Sequence, residues 1–221
     1  ARRAVERVKA VAAARLKVEA GDVVMGERKF SSKGDPAKSA SFAEVYRDLR
    51  RETVFHGERG GMPGDKYAFN TFGAHFAEVE VNVETGRVRV LKYVAAQDSG
   101  QIVSKLTAES QVVGGVTQGL SAGLFEERVM DDATGNVVNP NLRDYKIATS
   151  LDVPEITALF AEVADPRINN LGVKGLGEPA RVPSSGAVAN AVFNAIGVHV
   201  REIPMTPQRV LEALKRKESG S

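Results

Sequence analysis

From Ala77 to Val90 the chain alternates residue by residue, and this period of two constrains the fold more tightly than any other feature. Val79, Val81 and Val83 share one side, while Glu78, Glu80, Asn82 and Glu84 share the other. Gly86 then supplies a turn, after which Val88 and Val90 resume the pattern with Arg87 and Arg89 outward. Only an extended chain places alternate side chains on opposite faces. The segment therefore predicts a β-hairpin with one apolar face, its acidic strand lying opposite a basic one. A sheet with one apolar face needs a covering layer.

Helical periodicity marks other stretches of the chain. Val5, Val8, Ala12 and Leu16 recur at spacings of three and four, predicting an amphipathic helix that ends at Gly21. A short strand is expected over Val23 to Phe30, then a polar loop through Gly34, Asp35 and Pro36. Ser41-Phe-Ala-Glu44 is a capping box, starting a helix with Phe42, Val45 and Leu49 inward. Gly57, Gly60, Gly61, Pro63 and Gly64 break regular structure, marking a loop or a boundary between two parts. A phosphate cradle is the sharper alternative there, but no apolar helix follows to supply aligned amides.

Ser104 can cap a helix carrying Leu106, Val113, Val116, Leu120 and Leu124. Within it lie Gly114, Gly115, Gly119 and Gly123, each costing about 1 kcal/mol against Ala in a helix interior. Gln111, Gly115, Gly119 and Gly123 follow one another four residues apart and form one stripe. Either another backbone or a bound group can come close along it. Beyond lie a second hairpin around Asp131, Asp132, Thr134 and Gly135, a turn at Asn139-Pro140-Asn141, and a strand from Ile156 to Val163. A helix announced by Pro183, Ser184 and Ser185 runs through Val188, Val192 and Ile196 to Gly197. Thr206-Pro207 opens a last short helix with Val210, Leu211 and Leu214, and the polar tail from Lys215 to Ser221 is expected to fray. Strands and helices mix without a regular βαβ rhythm, so the class is α+β. Three portions follow: 1–64, 65–214 and the tail 215–221.

Composition removes several functions. Lys plus Arg is 30 and Asp plus Glu is 28 in 221 residues, a net charge of +2 that argues for neither nucleic acid nor a membrane surface. No apolar run approaches the roughly 18 residues of a membrane span, and the N-terminus lacks the apolar block of a signal peptide. Cys is 0, which removes thiolate catalysis, disulfides and iron–sulfur ligation by this chain. His56, His75 and His199 lack ligand spacing, so no protein-ligated metal is expected, and His75 reads as a packing residue. The opening Ala-Arg-Arg-Ala-Val, with no initiator Met inside a helical pattern, reads as a portion of something larger.

Gly172-Val-Lys174-Gly175-Leu176-Gly177-Glu178-Pro179 is the stretch best suited to chemistry. Its glycines let a backbone approach a ligand, and Pro179 fixes the direction in which Glu178 leaves the loop. Glu178 stands where a phosphate-binding loop would have Lys, and the glycine spacing is not that of a dinucleotide fingerprint. A carboxylate so presented suits a general base, with a structural turn carrying a surface Glu as the plain alternative.

These stretches, in order, resemble a known family. Asp98-Ser-Gly100, Gln111-Val-Val-Gly114-Gly115-Val-Thr-Gln118-Gly119, Asn139-Pro140-Asn141 with Asp144-Tyr145-Lys146, Asp152-Val-Pro154-Glu155-Ile156 and the loop from Lys174 to Pro179 are similar to the C-terminal part of the molybdenum hydroxylases. That family comprises xanthine dehydrogenases and aldehyde oxidoreductases, and the resemblance is to its molybdopterin-binding large subunit. Ala189-Asn190-Ala191, Asn194-Ala-Ile-Gly197 and Pro204-Met-Thr206-Pro207 extend the resemblance through residues 70 to 214. The chain departs from the family pattern at Gln101 and Ser104-Lys105, where Arg and an Asn-Pro pair are usual, and at Ser110 and Val113.

The resemblance implies a fold, the second half of the molybdopterin-binding region, and a set of roles. Glu178 would be the catalytic base, taking a proton from a molybdenum-bound hydroxyl while a hydride passes to the metal centre. An aldehyde, N-heteroaromatic or purine carbon would thereby be hydroxylated with oxygen from water. Gln111 would hydrogen-bond the pterin, and Gly175, Leu176 and Gly177 would line it. The implied cofactor is molybdopterin in its cytosine dinucleotide form with molybdenum held by the pterin rather than by protein ligands. The implied partners are an iron–sulfur subunit, an FAD subunit, the N-terminal part of the same large subunit and a small-molecule substrate. A bacterial cytoplasmic setting is expected, with the periplasm reached through a partner's signal as the alternative. A second reading makes the chain a non-catalytic cofactor-insertion or subunit-assembly module.

Overall fold

The computed structural model describes residues 2–49 and 67–219, so the glycine-rich stretch 57–64 lies outside the described residues. The chain divides into two compact units, Ala1–Gly61 and Met62–Ser221.

In the first unit, α1 (Arg2–Leu16) is followed by a three-stranded antiparallel meander, β1 (Val23–Gly26), β2 (Lys29–Ser32) and β3 (Ser39–Ser41), and by α2 (Phe42–Asp48). The apolar stripe of α1 buries Ala12 and Leu16 against Val23, Phe30, Ala40 and Val45. The Ser41–Glu44 capping box forms, with Ser41 accepting from the Glu44 amide and the Glu44 carboxylate accepting from the Ser41 amide. Three local features depart from the periodicity of the sequence. The helix stops at Leu16 because Lys17 takes a left-handed φ of 56°, four residues before Gly21. Val23 to Phe30 is two strands rather than one, reversed by Glu27 and Arg28 at φ 44° and 62°. Phe42 is exposed rather than inward, with its ring 4.7 Å between centroids from that of Phe30.

The second unit is built on a three-stranded sheet. β4 (Phe72–Val81) and β5 (Val88–Asp98) form the antiparallel hairpin, and β6 (Glu155–Phe160) adds parallel to β5, giving the order β4-β5-β6. Glu78 lies opposite Lys92 and Glu80 opposite Arg89. Leu91 is an extra residue in the register, and it shifts the inward positions from Val88 and Val90 to Tyr93, Ala95 and Gln97. A β5–helix–β6 crossover is thus present, which the sequence pattern did not reveal. The helices are α3 (Lys105–Leu124), α4 (Gly177–Arg181), α5 (Ser184–Ile196) and α6 (Pro207–Glu218). They bury Val112, Val116, Leu120, Val188, Val192 and Val210 in one core with the inward side of the sheet.

Details follow the local chemistry. In α3, Leu106 is exposed and Val112 takes the inward place. Ser104 occupies its N-cap without a side-chain bond. The segment around Asp131–Gly135 closes on a single bridge, Met130 to Val137. Gly197 ends α5 in the left-handed conformation, and Thr206 caps α6 by accepting from the Arg209 amide. The tail expected to fray from Lys215 is helical through Glu218, held where Lys217 Nζ donates to the Ile196 carbonyl at 2.7 Å. This bond satisfies an orphan carbonyl at the end of α5 with a cation, the favoured charge there. Among the described residues no helix is long and apolar enough to cross a membrane.

Candidate functional site

The loop 172–178 is stitched to the end of β5. The Gln101 amide donates to Gly172 O at 2.9 Å and the Lys174 amide to Ser99 O at 2.8 Å, on either side of a Gly100–Val173 bridge. Gly100 has φ +70°, and a Cβ there would run into the Gly172 carbonyl, so the approach depends on glycine. Lys174 Nζ donates to Asp98 Oδ2 at 2.7 Å with both side chains largely covered. That bond from Lys174 holds the Asp98 carboxyl below its ordinary value against the opposing effect of burial, helped by the Gly100 amide. Lys174 is therefore engaged by Asp98 and largely covered rather than standing as a solvated side chain.

The other end of the loop enters α4, which lies along the glycine stripe of α3. A Cβ on Gly115 would stand 3.0 Å from both Gly177 O and Ala180 Cβ, and one on Gly119 would collide with Ser184. Ser185 Oγ donates to Gly119 O at 2.8 Å, and Ser185 also covers Gly123. The stripe is thus occupied by the backbones of α4 and α5 from Gly115 to Gly123. Gln111 stands at its other end, where a Cβ on Gly177 would come 3.1 Å from Gln111 Oε1.

Two clefts flank the loop. One of about 350 Å³ is lined by Ser99, Gln101, Thr107, Gln111, Lys174 and Leu176. The other, about 420 Å³, is lined by Phe69, Thr71, Ile168, Lys174 and Gly175. Gln111, Leu176 and Gly177 are therefore brought together, while Gly175 faces the second cleft. Glu178 lies in the first turn of α4, exposed, lining neither cleft, with no ion-pair partner among the described residues. A larger cleft of about 990 Å³, with Arg87, Arg89, Phe125, Lys146 and Leu151, lies at the hairpin turn, apart from this loop.

Two features went unread in the sequence. The Asp98–Lys174 pair has no local signature at that separation, and Ser99 Oγ is buried without a hydrogen-bond partner while its residue lines the first cleft. Such an orphan hydroxyl awaits a ligand or water. With the exposed Gln111 amide beside it and glycine backbone opposite, the cleft offers donors, acceptors and close approach, a set that fits a polar heterocycle such as a pterin. Among the described residues no group of three His, Asp or Glu is placed to hold a metal ion.

A mixed sheet backed by a glycine-seamed helix thus carries a Gly-x-Gly-Glu loop beside a polar cleft. Residues 1–154 match the molybdopterin cofactor-binding domain family, and the chain belongs to it. It is 37% identical over 172 residues to a putative xanthine dehydrogenase molybdenum-binding subunit of Escherichia coli K12, covering 75% of this chain and 23% of that protein. It is 38% identical over 154 residues to an aldehyde oxidoreductase molybdenum-binding subunit of the same organism, covering 70% of this chain and 21% of that one. The structure of quinoline 2-oxidoreductase from Pseudomonas putida 86 is similar across 96% of this chain and 28% of its own, with 30% identity and a TM-score of 0.70. The chain thus spans about a quarter of the length of these relatives.

Proposed function

We propose that this chain is the part of a molybdenum hydroxylase large subunit that closes over one side of the molybdopterin and contributes the general base, Glu178. The observation carrying this reading is the packing of the Gly175–Glu178 loop and α4 on the glycine stripe beside Gln111, which joins the loop to a cleft with unspent polar groups. Gln111 would hydrogen-bond the pterin through its amide, and Gly175, Leu176 and Gly177 would line it by their backbone. The cofactor, when bound, supplies the redox chemistry that oxidises an aldehyde, N-heteroaromatic or purine carbon with oxygen from water. Glu178, exposed in the first turn of α4, would accept a proton on a carboxylate oxygen from a donor brought within hydrogen-bond reach. The Asp98–Lys174 pair and the Gly100–Val173 bridge hold the base's loop in register with the cleft.

The same reading takes the pterin as the cytosine dinucleotide form. Iron–sulfur and FAD subunits receive the electrons, since this chain has Cys 0 with which to hold a cluster. The N-terminal portion of the large subunit completes the pocket, and the assembly works in the cytoplasm. Glu178→Gln in the complete protein with its partners tests the assignment: turnover falls by about 10²–10⁴-fold, the usual worth of a positioned base, with molybdenum retained. Unchanged turnover would overturn it in favour of an assembly role.

A further inference from the structure

The helices of the second unit pack on one face of its sheet. Ala77 and Val79 of β4, Tyr93 and Ala95 of β5, and Ile156 and Ala158 of β6 turn toward them. Alternation therefore puts Phe72, Ala74 and Phe76, Val94 and Ala96, and Thr157 and Leu159 on the opposite face. The register sets these side by side. Phe76 lies opposite Val94 and Val94 opposite Thr157; the next row is Ala74, Ala96 and Leu159; Phe72 closes the patch opposite Asp98. Phe72 is 68% exposed, Phe76 66% and Leu159 50%.

The same face changes character toward the hairpin turn. Glu78, Lys92 and Glu155 form the next row, and Glu80 lies opposite Arg89, all of them exposed. That end is at home in water, as charged cross-strand neighbours are. The apolar end is not: a contiguous apolar patch rimmed by charge marks a surface that is covered in the working protein. It also lies where the candidate site lies. Asp98, beside Phe72, holds Lys174 at 2.7 Å, and Thr71, just before β4, lines the cleft that Gly175 faces.

Size and position select the cover. Two phenyl rings two-thirds exposed and a half-exposed Leu offer roughly 350 Å², taking about 150–250 Å² for a whole aromatic side chain. That is less than half of the ~800 Å² each partner gives to a stable complex, which disfavours a second copy. A cover tethered in the same polypeptide needs less area, because its high effective concentration replaces free association. This chain covers 23% of one relative and 21% of another, so most of a homologous large subunit lies outside it. We propose that the outer face formed by Phe72, Phe76, Val94, Ala96 and Leu159 is the seat of the N-terminal portion of the same large subunit, which packs an apolar surface there and is thereby brought to the edge of the cofactor loop. The inference rests on the proposed function in taking this chain as part of a large subunit, and is independent of the role of Glu178.

Hydroxyl-radical footprinting of the complete large subunit, read by mass spectrometry, tests this. Oxidation rates of Phe72, Phe76 and Leu159 are compared with those of the same protein unfolded in denaturant, first for the subunit without its partner subunits and then for the full complex. A seated cover slows all three by about 10-fold or more, the level of core side chains, already in the isolated subunit and at every concentration. An open face slows by no more than about twofold, in line with its 50% to 68% exposure, and that result would overturn the proposal. So would protection seen only once partner subunits are added, which would make the face an intersubunit surface, and protection that grows with subunit concentration, which would assign it to a second copy. The Glu178→Gln assay reads turnover alone, so either result can fail without the other.

Discussion

Lys174 and Asp98 meet across 76 residues, and their contact fastens the loop before Glu178 to the end of β5. Removing one partner of a largely covered charged hydrogen bond strands the other. Lys174→Met is therefore expected to lower the unfolding free energy by about 1–3 kcal/mol, read from the denaturant midpoint, and an unshifted midpoint would contradict the contact. Asp152 behaves similarly. Burial alone would raise its carboxyl, but donation from Lys146 and from the Thr149 amide and hydroxyl outweighs this and brings it to about 2. A carboxyl depressed on folding adds stability above its unfolded value of about 4, which is lost as pH falls toward the folded value. Stability should decline between about pH 4 and 2, and Asp152→Asn should flatten that decline in acid titrations of unfolding. Local pairs such as Ser41–Glu44 were legible in the sequence because three residues of spacing carry their geometry. Asp98–Lys174 and Ser99 were not, because burial and long-range pairing leave no periodic trace.

At the level of elements, the glycine stripe separates propensity from packing. By propensity alone Gly→Ala in α3 stabilises by about 1 kcal/mol anywhere in the helix interior. Gly114 has nothing within 4 Å of a would-be Cβ, so Gly114→Ala should raise the melting temperature. Gly119 has Ser184 in that place, and Gly119→Ala should destabilise by about 1–3 kcal/mol through overpacking. Equal effects at the two positions would contradict the seam. Both approach modes were open from the spacing, and only tertiary structure shows α4 and α5 along most of the stripe. The alternating hairpin and the Gly197 and Thr206 helix boundaries were legible because the residues themselves impose them. The Leu91 bulge, the parallel addition of β6 and the left-handed Lys17, Glu27 and Arg28 were not, since none of these residue types demands that geometry.

Across the whole molecule, the two units have separate cores, and the family match over residues 1–154 stops short of the loop at 172–179. The loop's assignment therefore depends on its packing against α3 and on structural similarity that extends over 96% of the chain. The expected boundary near residue 64 falls outside the described residues, and the helical course of 215–218 shows that polar composition there reflects a solvated face rather than fraying. On the proposed function, this chain helps enclose molybdopterin within a longer subunit. Metal analysis of the complete protein, isolated with its partner subunits, tests it most directly. Molybdenum nearly stoichiometric with the chain, lowered by Gln111→Ala, is the predicted result; an intact assembly from cofactor-replete cells that lacks molybdenum would contradict it.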